Sequence, residues 1–156
     1  MEQRKKLHDY SLILIFLALL DVFTFVATGI ASFLDGTMQN ALATVEPSIL
    51  VPVKIVLGVL AVIMALATFG EAFIGFKGLK VSREPNADKG YITAAKFFLV
   101  LSAIASVSAF ASFFDNKADL VDTILNFCNV VLDVVLYVLF IKCATAVRAD
   151  ALAEQK

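Results

Sequence analysis

The sequence has very few of the side chains that build most metal and redox sites. It contains one histidine, His8, and two cysteines, Cys128 and Cys143, among its 156 residues, and no CxxC pair. Zinc and haem sites need several such ligands at suitable spacing, so we expect no metal and no cofactor. The two cysteines lie 15 residues apart on one predicted helix, which is too far to form a disulfide within that helix.

Charged residues are also scarce, at 17% of the chain, whereas 60% of the residues are hydrophobic and the mean hydropathy is +0.89. Soluble domains contain about 25% charged residues, so an ordinary soluble domain is excluded. No P-loop, GxSxG or HExxH motif is present, and no basic patch suits a nucleic acid. Two aspartates could in principle form a hydrolytic pair, but their flanks, LLDVF and VLDVV, resemble no motif for that chemistry. We therefore predict that the protein is not an enzyme and binds no nucleic acid.

What the chain has instead is four long apolar runs, at about residues 11–34, 48–76, 93–114 and 120–147. About 20 apolar residues in a helix cross a hydrocarbon core roughly 30 Å thick. We predict an all-α, polytopic membrane protein, a four-helix transmembrane bundle that forms a single domain over residues 1–156. Pro85, Asn86 and Gly90 predict a break in the loop 77–92 between the second and third spans.

The positive charges predict the orientation of the bundle. Of the 13 Lys and Arg residues, three lie in the N-terminal tail, five in the central segment and three at the C-terminal end. The other two, Lys54 and Lys117, belong to the opposite side. By the positive-inside rule, both termini and the central loop face the cytoplasm, in a multi-pass protein of the plasma membrane.

Two of the predicted helices carry polar stripes at helical spacing. The first has Asp21, Thr24, Thr28 and Ser32, and the fourth has Asp122, Asn126, Asn129, Asp133 and Tyr137. Such side chains are costly against lipid, so we expect both stripes to face the interior of the bundle. Asp21 and Asp133 both fall about 12–15 Å from the cytoplasmic ends of their helices. This set of residues is the candidate intramembrane polar or proton site.

The two aspartates allow a functional and a structural interpretation. Two neighbouring carboxylates cannot both ionise cheaply, so at least one should hold a proton, as in a proton-coupled site. A protonated aspartate can equally bond to the next helix and fasten the bundle. Lys54 is a possible counter-charge for Asp133 if its side chain turns inward. Glu71 follows a long apolar run, which suggests a position at the cytoplasmic interface.

The second helix carries a stripe of small residues instead. Its members follow spacings of three or four: Gly58, Ala61, Ala65, Thr68, Ala72 and Gly75. Small residues let helix backbones approach closely in membranes, so this stripe predicts a helix-packing face.

Two functions are compatible with these features. The first, which the sequence favours modestly, is a non-enzymatic interaction or accessory subunit that packs onto itself or onto another membrane protein. The second is a small oligomeric proton- or cation-coupled transporter or channel that uses Asp21 and Asp133. Convergence of the two carboxylates on a cavity open to one side would favour transport. Isolated carboxylates in a dry core, or on an outer groove, would favour the interaction role.

Overall fold

The computed structural model describes residues 2–34, 36, 40, 42–45, 47–86, 88–114 and 120–154. Within those ranges the chain forms four long helices, α1 (Glu2–Leu34), α2 (Pro47–Arg83), α3 (Gly90–Ala111) and α4 (Leu120–Glu154). A 3-10 turn at Ser112–Phe114 follows α3. Each of the four helices is long and apolar enough to cross a membrane. The prediction of an all-helical protein with four such helices is confirmed.

Three of the helices extend beyond the apolar runs that predicted them. α1 begins at Glu2, α4 continues to Glu154, and α2 continues to Arg83, so residues 77–83 of the predicted loop are helical. These extensions contain polar residues, but Leu7, Val81 and Ala151 within them are buried. Packing of one apolar face therefore stabilises these turns, although their mean hydropathy is low.

The break between α2 and α3 lies inside the predicted loop. α2 ends just before Glu84 and Pro85, and α3 begins at Gly90. Oδ1 of Asp88 accepts a hydrogen bond of 2.8 Å from the Gly90 amide. This contact satisfies one of the free donors at the start of α3, which is the usual role of an aspartate before a helix.

The four helices form a ring in chain order. α1 packs mainly on α2, and α3 packs mainly on α4; contacts of α1 with α4 and of α2 with α3 close the ring. We call the end with the chain termini and the α2–α3 connection the termini end, and the other the hairpin end.

The packed core lies at the termini end of the ring. Its buried members include Leu7 and Leu14 of α1, Ile74 of α2, Tyr91 of α3 and Phe140 of α4. The rings of Tyr91 and Phe140 meet edge to face with centroids 6.1 Å apart. Toward the hairpin end every residue of α1 from 19 to 31 is exposed. α3 and α4 remain in contact there, since the rings of Phe110 and Phe127 lie with centroids 6.1 Å apart.

The small-residue stripe of α2 divides between these two regions. At Gly75, an added Cβ atom would lie 2.7 Å from Cγ1 of Ile15 and 3.0 Å from the carbonyl oxygen of Ser11. Gly75 therefore permits the close approach of α1, as the packing prediction requires. At Gly58, no atom of another described helix lies within 4 Å of an added Cβ atom. Within the described chain the stripe therefore packs on α1 at Gly75, whereas at Gly58 it stands open to a partner from outside the chain.

Candidate functional site

A cavity of about 730 Å³ lies between the four helices, directly above the packed core. Every helix contributes to its lining. The polar members are Asp21, Thr24 and Thr28 of α1, Thr68 and Glu71 of α2, Ser102 of α3 and Asp133 of α4. The rest of the wall is largely apolar and includes the rings of Phe25, Phe69 and Phe98. We call this space the acidic cavity.

The three acids of the cavity occupy one level of the bundle. Each lies three or four residues, or about one helical turn, beyond a core residue of its own helix. Asp21 follows buried Ala18, Glu71 precedes buried Ile74, and Asp133 precedes buried Tyr137. Since α1 and α2 run in opposite directions, as do α3 and α4, these offsets all point toward the hairpin end. The acids therefore lie where close packing ends.

Glu71 forms the floor of the cavity, and Tyr137 lies directly beneath it. The Tyr137 hydroxyl donates a hydrogen bond of 2.6 Å to Oε1 of Glu71. The Tyr137 ring is fully buried and stacks on Phe98, with ring centroids 6.0 Å apart. A Cβ atom added to Gly70 would overlap the Phe98 ring, so that glycine makes room for it. The floor is consequently held in place by contacts from α2, α3 and α4.

The three carboxyl groups are close enough to interact electrostatically. Because all three groups line one cavity, their ionised forms would repel one another. Glu71 and Asp133 are half-buried, whereas Asp21 is exposed toward the open part of the cavity. Among the lining residues that the structure describes, none is Lys, Arg or His. The site therefore concentrates negative charge without a cationic side chain to balance it.

The structure brings only part of the predicted polar site together. Asp21, Thr24, Thr28 and Asp133 all line the acidic cavity, and Tyr137 lies beneath it. Asn126 and Asn129 are exposed and outside the lining. Both precede Asp133 on α4 and lie nearer the hairpin end, on a part of the helix surface that no other described segment covers. The structure therefore does not place these two residues of the α4 stripe on the cavity lining with the other predicted site residues. The side chains of Ser32 and Asp122 lie outside the described part of the chain.

The proposed pairing of Lys54 with Asp133 is incompatible with the fold. Lys54 precedes Glu71 by 17 positions on α2, which corresponds to about 25 Å along a helix axis. Glu71 and Asp133 share one level of the bundle, so Lys54 lies far toward the hairpin end from both. Its side chain is exposed. Lys54 is therefore no counter-charge for this aspartate.

Glu71 joins the site although its position in the sequence suggests only the cytoplasmic interface. It follows a long apolar run, and α2 continues for 12 residues beyond it. The signal for its place in the bundle is local. Ile74, Gly75 and Gly78, which come one to two turns later, provide the small and apolar surface of a packed helix. A carboxylate that precedes such a segment lies within the bundle and not at its end.

Comparison of this chain with models of protein families, with curated proteins and with solved structures finds no match in any of the three.

Proposed function

We propose that this protein spans the plasma membrane four times with both termini in the cytoplasm, and that it transfers protons or cations through its acidic cavity. In this proposal it is a small oligomeric transporter or channel. The observation that carries the proposal is the common lining by Asp21, Glu71 and Asp133 of one open cavity. Ionisable side chains inside a membrane are expensive, so they usually serve an ion or proton pathway.

The geometry supports a binding role more than a purely structural one. An acid that only fastens two helices would be paired with one donor in a dry contact. Glu71 has such a donor in Tyr137, but Asp21 and Asp133 line the same cavity and would repel each other when both are ionised. Protons or a cation would relieve this repulsion, and their exchange through the open side would constitute transport.

Flux measurements in liposomes test this proposal. The wild-type protein should carry protons or monovalent cations down an imposed gradient, and Glu71→Gln, Asp21→Asn and Asp133→Asn should each reduce the flux. Glu84→Gln is the matched control, because Glu84 is an exposed acid beyond the end of α2. Absence of wild-type flux, or undiminished flux in a variant that lacks all three cavity carboxyl groups, would contradict the proposal.

The orientation has its own test. In a variant with Cys128→Ala and Cys143→Ala, single cysteines replace Lys5, Lys80 or Lys117. A membrane-impermeant maleimide added to intact cells should label only the cysteine at position 117, because the other two positions carry the positive charges predicted to face the cytoplasm. Labelling at position 5 or 80 in intact cells would reverse the assignment.

An interaction role is the second candidate function, and the open half of the α2 stripe favours it. Gly58 has no neighbour within 4 Å of an added Cβ atom, so a helix of another copy or another protein could approach its backbone. Gly58→Leu should then weaken association measured by cross-linking in native membranes. Unchanged cross-linking would remove this face from the interface.

A further inference from the structure

We propose that the occupant of the acidic cavity is an organic cation with a large apolar body. This inference rests on the proposed function, since it names the class of substrate for the same site. It is carried by three properties of the cavity: the chemistry of its walls, the sign of its charge and its volume.

The walls of the cavity suit an apolar body. Phe25, Phe69, Phe98, Met64 and Leu101 are among the apolar residues that line the cavity around the acids. Aromatic faces attract cations as well as apolar groups, and the attraction is stronger where water is excluded. Methionine adapts its shape to ligands of different outline. A lipophilic cation can use both properties at once.

The charge of the cavity selects the sign of the ligand. Asp21, Glu71 and Asp133 supply three carboxyl groups, and no basic side chain stands among the described lining residues. Electrostatic complementarity therefore favours a positive ligand and opposes an anion of the same shape. A neutral apolar molecule or a lipid tail would leave the repulsion among the carboxylates unrelieved.

The volume and the spacing of the acids argue against a bare metal ion. Pockets for organic ligands enclose about 300–1,000 Å³, and this cavity encloses about 730 Å³. Among the described residues, no three His, Cys, Asp or Glu side chains are placed to hold one metal ion. A calcium or magnesium ion needs six or more oxygen ligands at short range, which largely carbon walls do not supply. An organic cation has no such requirement.

Equilibrium binding in a neutral detergent tests the inference with two probes of nearly identical shape, tetraphenylphosphonium and tetraphenylborate. The purified wild-type protein should bind the cation saturably at one site and bind the anion at least tenfold more weakly. Glu71→Gln should weaken cation binding by about tenfold, and Asp133→Asn should also weaken it. Glu84→Gln should leave it unchanged.

The possible outcomes separate this inference from the proposed function. The inference would be overturned if both probes bound equally, or if the cation still bound after loss of all three carboxyl groups. Either result would mean that the probes adsorb to apolar surface without recognition of their charge. Proton or inorganic-cation flux that requires the acids, in a protein that does not bind the organic cation, would overturn the inference and leave the proposed function standing. Saturable, acid-dependent binding without any flux would overturn transport and support the binding site.

Experiment can also show whether a phospholipid or a second copy of the chain fills the cavity. Native mass spectrometry of the purified protein would detect a retained phospholipid or a dimer. If the cation bound only after the lipid had been removed or the dimer dissociated, the lipid or the second copy would be the natural occupant of the cavity. The inference would then fail. If Glu71→Gln prevents folding, Asp133→Asn provides the same comparison, with each variant first checked for a single symmetrical peak in size-exclusion chromatography.

Discussion

The Tyr137 hydroxyl donates a hydrogen bond of 2.6 Å to Oε1 of Glu71, across 66 positions of the sequence. Tyr137 lies on α4 and Glu71 on α2, two helices on opposite sides of the ring with few other contacts between them. The bond therefore crosses the interior of the bundle at the level where the packed core meets the acidic cavity. It connects the structural half of the molecule with the half that we propose to be functional.

Loss of this hydrogen bond should destabilise the bundle measurably. Tyr137→Phe keeps the ring that stacks on Phe98 and removes only the hydroxyl. Hydrogen bonds between membrane helices contribute about 0.6 to 1.7 kcal/mol, and we expect a decrease of about 1 kcal/mol in the free energy of unfolding. Unfolding by SDS in mixed micelles provides the measurement. A variant as stable as the wild type would show that the bond contributes nothing net.

Tyr91 offers the opposite case and a matched comparison. Its side chain is fully buried beside Phe140, but within the described structure its hydroxyl has no hydrogen-bond partner. A buried hydroxyl without a partner costs about 1–3 kcal/mol of desolvation. Tyr91→Phe should therefore leave the stability unchanged or raise it, in the same SDS assay that detects the loss in Tyr137→Phe. A decrease as large as that of Tyr137→Phe would reveal a partner for the Tyr91 hydroxyl.

The repulsion within the acidic cavity predicts a non-additive effect of two substitutions. Glu71→Gln keeps an oxygen that can accept the Tyr137 hydrogen bond and removes the negative charge near Asp133. At alkaline pH we expect this variant to be at least as stable as the wild type. The same substitution in an Asp133→Asn background should give a smaller gain. Residues in contact commonly couple by at least about 0.5 kcal/mol in such a double-mutant cycle. Strict additivity would mean that the two carboxyl groups do not interact.

The sequence predicts the fold well because hydropathy measures the same property that decides which segments can cross a membrane. It predicts the site only in part. Asp21 and Asp133 stand out because each interrupts an apolar run, but Glu71 stands at the end of one and resembles an interfacial residue. Its place in the bundle depends on how far α2 continues and on which residues pack below it. Asn126 lies outside the cavity lining for a related reason. Spacing shows which residues share a helix face, but it does not show whether a neighbouring helix covers that face.

Gly75 and Gly58 provide the sharpest test of where the bundle is packed. They lie on the same small-residue stripe of α2, and each can be replaced by alanine. At Gly75, the new methyl group would press against Ile15 and against the backbone of Ser11. Overpacking of this kind costs about 1–3 kcal/mol, because the backbone atoms of α1 cannot move aside without opening the interface.

At Gly58 the methyl group meets open space, and alanine favours a helix over glycine by about 0.5–1 kcal/mol. We therefore expect Gly75→Ala to lower the free energy of unfolding and Gly58→Ala to raise it slightly, both measured by SDS titration at equal protein concentration. If Gly58→Ala were also destabilising, the hairpin end would be packed against another helix, either within the chain or in a second copy. Dependence of that loss on protein concentration would identify the second copy, since only association responds to concentration.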